Sequence, residues 1–253
     1  MTNDLTGSTV LITGGNSGIG RATGMSLARL GAHVVLSGRD AGRGEQAAAA
    51  IRAEGGRADF VAADLGDEAS ARQLARQATE LGGGHVDILV NNAGIFPFGP
   101  THEASEADFD RVFAVNVKAP FFLTAAVIPA MVEVGGGVII NLGSWIARLA
   151  VPAGAVYGAT KGALETLTRT WAAEFGAQGI RVNAISPGVT FEDPDDVPDA
   201  AWPMIATTPA GRPGTPADIA AAAVYLAGDE ATFVHGAVFD IDGGRSNIFR
   251  TAR

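Results

Sequence analysis

Short apolar runs alternate with longer amphipathic stretches along most of the chain, and this alternation predicts βαβ units built around a parallel sheet. Residues 9–13, 33–37, 58–62, 88–91, 137–142, 181–186 and 238–241 read as strands. Residues 19–30, 43–54, 68–81, 109–134, 155–175 and 216–227 carry the helical period. Several helices have recognisable ends: Gly31 stops the first, and Thr215-Pro216 reads as an N-cap with proline at the first helical position. Strands that are apolar at nearly every position must be covered on both sides. The expected fold is therefore α/β, a Rossmann-type doubly wound, seven-stranded parallel sheet with helices on both faces. No linker, repeat or low-complexity block divides the chain, so residues 1–253 are expected to form a single dinucleotide-binding catalytic domain. Segment 188–214, rich in Pro and Asp, has no clear period and is long enough to be a substrate loop or lid.

Composition narrows the chemistry. The 253 residues include no cysteine, which removes disulfides, thiolate nucleophiles and Cys-based metal sites together. The histidines, His33, His85, His102 and His235, show no ligand spacing, and no metal is expected. A formal net charge of -9 argues against nucleic acid as a partner, because phosphate-backbone binding needs a basic surface. No run approaches the roughly 20 apolar residues of a membrane span, and residues 1–9 lack the features of a signal peptide. The expectation is a cytoplasmic protein without a membrane partner.

The first strand runs directly into Thr13-Gly14-Gly15-Asn16-Ser17-Gly18-Ile19-Gly20 and then into a helix. This strand, turn and helix context suits a dinucleotide: glycines let a diphosphate approach the free N–H groups of the helix N-terminus. The spacing is Gly-x-x-x-Gly-x-Gly from Gly14. At the end of the second strand, an acidic residue would bind the ribose hydroxyls of NAD, whereas Arg suits the phosphate of NADP. Gly38 holds that acidic position and Arg39 follows it, so NADP(H) is favoured over NAD(H). Asp40 is the competing consideration, since a small change of turn geometry would bring its carboxylate to the ribose. Asp64, just after the third strand, reads either as an acceptor for the adenine amino group or as a local turn former.

Tyr157 and Lys161 lie at i and i+4 on one helical face. A phenol is a poor base at neutral pH, and a neighbouring ammonium favours phenolate. By itself such a pair is common on surface helices. Ser144 gives it meaning, because it follows the strand 137–142 at the carboxyl edge of the sheet, where ligands of parallel α/β folds bind. Asn91-Asn92-Ala93-Gly94 ends another strand on that edge. Asn116 is a polar residue among Val115, Val117 and Phe121, and reads either as part of the site or as a helix-bending core asparagine.

Taken together, Thr13 to Gly20, Asp64, Asn91 to Gly94, Asn116, Ser144, Tyr157-x-x-x-Lys161, Pro187-Gly188 and Asp242-Gly243-Gly244 resemble the short-chain dehydrogenase/reductase family, and specifically its short NADP(H)-using members. The resemblance covers nearly the whole chain. It implies an oxidoreductase that moves a hydride between NADP(H) and a ketone or secondary alcohol. Tyr157 would be general acid in reduction and base in oxidation, Ser144 would polarise the carbonyl, Lys161 would bind the nicotinamide ribose and lower the tyrosine pKa, and Asn116 would hold a water in a proton relay. Gly14, Asn16, Ser17, Gly18, Ile19, Gly20, Arg39, Asp64, Leu65, Asn92, Ala93, Gly94, Tyr157 and Lys161 would bind cofactor, with Pro187, Gly188 and Thr190 placing its carboxamide. It also implies a homotetramer, with residues 247–253 reaching across an interface.

Two other readings keep the fold. A halohydrin-type lyase is opposed by Lys161 and the intact glycine turn. An NADP(H)-binding sensor without turnover is expected to have lost Ser144, Tyr157 or Lys161, and all three are present. The substrate pocket is expected to involve Phe96, Trp145, Ile146, Arg148, Val151 and segment 188–214. These are mostly apolar, and Arg148 reads either as a partner for an anionic substrate group or as a solvated charge. Acyl-carrier-protein substrates are not favoured over free ketones and alcohols, since a negatively charged surface offers an acidic carrier no docking face.

Overall fold

The computed structural model describes residues 4–248. Seven parallel strands form one sheet in the order β3-β2-β1-β4-β5-β6-β7. They are β1 (Thr9–Thr13), β2 (His33–Gly38), β3 (Arg57–Ala62), β4 (Ile88–Asn91), β5 (Gly137–Leu142), β6 (Ile180–Pro187) and β7 (Val238–Ile241), each within a residue of its apolar run. The helices are α1 (Gly18–Ala28), α2 (Ala41–Ala53), α3 (Glu68–Leu81), α4 (Glu106–Phe113), α5 (Ala119–Glu133), α6 (Ala155–Phe175), α7 (Trp202–Ala206) and α8 (Pro216–Ala227).

The pleat divides the apolar strand residues between two cores. Val10 and Ile12 of β1, with Ile88 and Val90 of β4, face α1, α2 and α8. Leu11 and Leu89, from the same strands, face α3, α5 and α6. This is the doubly wound Rossmann-type arrangement, and the strand order reverses between β1 and β4, which opens a crevice above their carboxyl ends.

One predicted helix proved to be composite. The segment 109–134 starts earlier, at Glu106, where the Ser105 side chain caps Asp108 N, and it widens into a π-helical turn over Ala114–Lys118 before α5. Together Glu106–Glu133 is long and apolar enough by length and composition to cross a membrane, which the sequence reading had not found. Its apolar side is instead laid on the sheet, through Ala119, Leu123, Val127 and Met131. The π turn has an identifiable cause: Asn116 is fully buried and reaches sideways, accepting from Ile95 N at 2.9 Å and donating to Ile95 O at 2.9 Å and Thr160 Oγ1 at 3.1 Å.

Segment 188–214 contains the short helix α7 and closes on itself at its base, where Thr190 and Gly214 form a parallel bridge. After it, Thr215 caps α8 and Asp218 returns the bond, as the Thr-Pro signal predicts.

Candidate active site

The turn after β1 is held by hydrogen bonds to the turn after β4. Asn92 N and Ala93 N both donate to Thr13 Oγ1 at 3.0 Å, and Asn92 Nδ2 donates to Thr13 O at 2.8 Å and Gly14 O at 3.1 Å. The approach is close enough that a Cβ on Gly14 would lie 2.8 Å from Asn92 Nδ2, and one on Gly20 would lie 2.4 Å from Gly14 O. Gly18 opens α1 with φ +52 and has nothing within 4 Å of where a Cβ would be. A helix N-terminus beside open space, with no Cβ on Gly18 to fill it, fits a diphosphate.

These residues border a cavity of about 680 Å³ whose walls include Asn16, Ser17, Ile19, Arg39, Asp64 and Leu65. Gly38 has a local reason for its lack of a side chain, because the Asn16 carboxamide lies where its Cβ would be, 2.9–3.1 Å away. Arg39 is exposed on the cavity wall. Asp40 also lines the cavity, and its carboxylate caps α2, accepting from Arg43 N at 2.9 Å and Arg43 Nε at 2.8 Å. Arg43, one helical turn beyond Arg39, also lines the cavity and was not singled out from the sequence, although its spacing was visible there. Asp64 pairs through Oδ1 with Arg111 at 2.5 Å. Glu192, from segment 188–214, accepts a hydrogen bond from Gly18 N at 2.7 Å and pairs with Arg21 at 3.4 Å.

A second cleft of about 610 Å³ adjoins the first, sharing Ile19, Asn92 and Gly94 in its walls. Ser144, Tyr157 and Lys161 meet here, as expected from the sequence. Ser144 is buried and starts the short 3-10 turn Trp145–Ala147, accepting weakly from Ile146 N at 3.4 Å. Lys161 is buried beneath Tyr157, its Nζ 5.7 Å from the ring centroid and donating to Leu142 O at 2.6 Å. Burial lowers its pKa to about 8. Burial also pushes the Tyr157 phenol up, and a hydrogen bond with Ser144 pulls it back.

Behind the cleft, a buried polar chain fixes α6 against the sheet. Asn91 Nδ2 donates to Asn141 Oδ1 at 2.9 Å, Asn141 Nδ2 to Thr168 Oγ1 at 2.8 Å, and Thr168 Oγ1 to Leu164 O at 2.8 Å. Thr160 adds a link by accepting from Asn116 while donating to Tyr157 O at 2.7 Å. The Asn116 amide thus joins the Ile95 backbone to Thr160 of α6.

The predicted lining residues Phe96, Trp145, Ile146 and Val151 face the cleft, together with Pro187, Gly188 and Thr190. Met204 comes from the expected segment 188–214, and Phe98 is an addition. Phe96 and Phe98 flank Tyr157 with ring centroids at 6.1 and 6.5 Å. Their i, i+2 spacing in an extended loop was the available signal. Arg148 does not line the cleft; it is exposed at the surface, and its guanidinium is held by Asp240, through Nη1 to Oδ2 at 2.8 Å and a second close contact from Nη2, and by Ser186 Oγ at 3.0 Å.

The crevice and the cleft thus adjoin at the carboxyl edge of the sheet, where parallel α/β folds bind ligands, and comparison with known proteins shows the family. A family model described as enoyl-(acyl carrier protein) reductase matches residues 14–246. The chain is 39% identical over 256 residues to 2-(S)-hydroxypropyl-CoM dehydrogenase 3 of Xanthobacter autotrophicus, covering 98% of this chain and 100% of that protein. A solved short chain dehydrogenase/reductase family protein is 47% identical with a TM-score of 0.87, covering 97% of this chain and 100% of its own. The blue fluorescent protein from a metagenomic library, solved in complex with NADPH, is 36% identical with a TM-score of 0.90, covering 96% and 99%. The fold, the crevice and these matches define an NAD(P)-dependent oxidoreductase. The chain belongs to the short-chain dehydrogenase/reductase family.

Proposed function

We propose that this protein transfers a hydride between NADP(H) and a ketone or secondary alcohol, with Tyr157 as general acid/base. The observation that carries the reading is the meeting of Ser144, Tyr157 and Lys161 in one cleft that adjoins the glycine-rich turn. The bound nicotinamide supplies the hydride in reduction and accepts it in oxidation. Tyr157 gives its proton to the carbonyl oxygen in reduction and takes the hydroxyl proton in oxidation. A phenol raised by burial suits the acid role. Ser144 donates to the same substrate oxygen, and Lys161, fixed on Leu142 O, holds cationic charge under the phenol and toward the cofactor ribose. Asn116 acts as a positioning residue: by pinning Ile95 and Thr160 it sets the wall beside Gly94.

NADP(H) is favoured over NAD(H) because the position that would carry the ribose-binding acid is Gly38, Asp40 is engaged on α2, and Arg39 and Arg43 border the cavity. The chain acts as one catalytic domain, and segment 188–214, which carries Thr190 and Met204 on the cleft, is its substrate lid. A homotetramer is supported by apolar side chains left exposed on the α4–α5 face, among them Phe109, Phe121 and Val132. The expected cross-interface tail, apart from Asn247 and Ile248, lies outside the described residues. A cytoplasmic location completes the proposal.

The reading is tested by following the reduced-nicotinamide absorbance while the protein is incubated with NADPH and a panel of ketones, or with NADP and alcohols, with cofactor binding measured alongside. Turnover with at least one class is expected; tight cofactor binding with no turnover across the panel would favour a sensor instead.

A further inference from the structure

We infer that the substrate is an uncharged, predominantly apolar ketone or secondary alcohol, and that the cleft discriminates against molecules bearing a carboxylate, sulfonate or phosphate. The inference rests on the hydride-transfer reading above and narrows it.

The cleft beyond Tyr157 is walled by Phe96, Phe98, Trp145, Ile146, Val151 and Met204. Its polar groups gather where the chemistry occurs, and those that could receive an anion are already engaged. Asn92 Nδ2 donates to the backbone at Thr13 and Gly14, and Thr190 Oγ1 donates to Gly188 O at 3.1 Å. Lys161 is the one cation in the cleft wall among the described residues, and it lies beneath Tyr157 on Leu142 O.

No arginine lines the cleft among the described residues. Arg148 follows the lining turn Trp145–Ala147, yet its guanidinium is spent on Asp240 and Ser186, with Glu165 also 3.7 Å from its Nε. Burial alone would raise the Asp240 carboxyl, but the hydrogen bonds from Arg148 and Asn247 hold it below the usual range, so the pair stays ionised. Arg245 stacks behind the lining residue Trp145, its Cζ 4.5 Å from the ring centroid, and borders a neighbouring cavity that shares Gly188, Val189 and Met204 with the cleft. Arg212, the only basic residue of segment 188–214, is bound to Asp218 at 2.8 Å.

Segment 188–214, which lines one side of the cleft, carries Glu192, Asp193, Asp195, Asp196 and Asp199, within a chain of net charge -9. An anionic substrate would meet this acidic segment and then lose its hydration among aromatic walls whose one cation, Lys161, lies beneath Tyr157. A neutral ketone meets neither cost, and gains from covering Phe96 and Phe98, which are 66% and 53% exposed.

The experiment compares NADPH-dependent reduction of acetophenone, 4-acetylbenzamide and 4-acetylbenzoate, with 2-hexanone and 5-oxohexanoate as an aliphatic pair. The amide matches the carboxylate in size and differs in charge. Expected is a kcat/KM for the amide at least about 100-fold above that of the carboxylate, with acetophenone at or above the amide. Met204→Arg, which adds a cation to the wall, should narrow the amide-to-carboxylate ratio at least about tenfold. Equal or preferred use of the carboxylates by the unaltered protein would overturn the inference and leave the hydride-transfer reading standing. Failure to turn over any ketone or alcohol, with NADPH bound as judged by its fluorescence, would overturn that reading and the inference with it.

Discussion

The carboxylate of Glu192 accepts a hydrogen bond from the backbone N–H of Gly18 at 2.7 Å, so an anion belonging to the chain sits on the first N–H of α1. Helix N-termini attract anions, and the proposed diphosphate site is built on this one. Glu192 therefore competes with the cofactor for a donor. Glu192→Gln weakens the competitor, and the expected result is an NADPH Kd lowered about tenfold in a fluorescence titration, the gain shrinking as salt is added. Unchanged or weaker binding in that variant would refute the competition.

The role proposed for Arg39 is more selective. Its guanidinium borders the nucleotide cavity, and a charge-assisted bond to the 2'-phosphate has no counterpart in NADH. Arg39→Ala is expected to weaken NADPH about 10- to 100-fold and NADH less than about twofold. Equal losses for both cofactors would remove the basis for the preference, with Arg43 the next residue to test.

How far the chain could be read in advance depended on how local each determinant is. The strands were legible because each is a short apolar run, and β6, covered along its whole length, has no polar interruption other than residues paired inside the fold. Ser144, Tyr157 and Lys161 were legible because the carboxyl edge of a parallel sheet is a place that sequence order alone defines. Residues whose role comes from contacts distant in the chain were not. Glu192 meets Gly18 across 174 positions and Arg148 meets Asp240 across 92, and nothing near either residue announces its partner. The π turn escaped for the same reason, since Asn116 is drawn out of a regular helix by Ile95 and Thr160.

The Ser144 hydrogen bond predicts a pH effect whose sign can be worked out. That bond favours the phenolate of Tyr157 and so lowers a pKa that burial raises. Ser144→Ala removes the lowering influence, the pKa rises, and less phenolate is present at a given pH. In alcohol oxidation the rising alkaline limb of the kcat/KM profile should move to higher pH, with kcat reduced about 100- to 1000-fold. A limb that stays in place would separate Ser144 from the ionisation of Tyr157.

Lys161 predicts a pH dependence of stability. Its pKa falls from 10.5 to about 8 on folding, through burial. Between those values the unfolded chain binds more protons than the folded one, so stability rises with pH across this window and the penalty is fully present below about pH 8. The whole effect is about 3 kcal/mol at 1.36 kcal/mol per pKa unit. Denaturant unfolding without added cofactor should show this rise relative to Lys161→Met, whose own profile should lack it. Parallel profiles for the two proteins would contradict the burial of an ionisable Lys161.

The central claim is that Tyr157 moves the proton, and the most direct measurement is turnover and NADPH binding in Tyr157→Phe, made on the same preparation. The phenylalanine ring keeps the contacts with Phe96 and Phe98 and loses only the hydroxyl. Turnover is expected to fall at least about a thousandfold while the NADPH Kd stays within about twofold. Substantial residual turnover with normal cofactor binding would show that another group carries the proton.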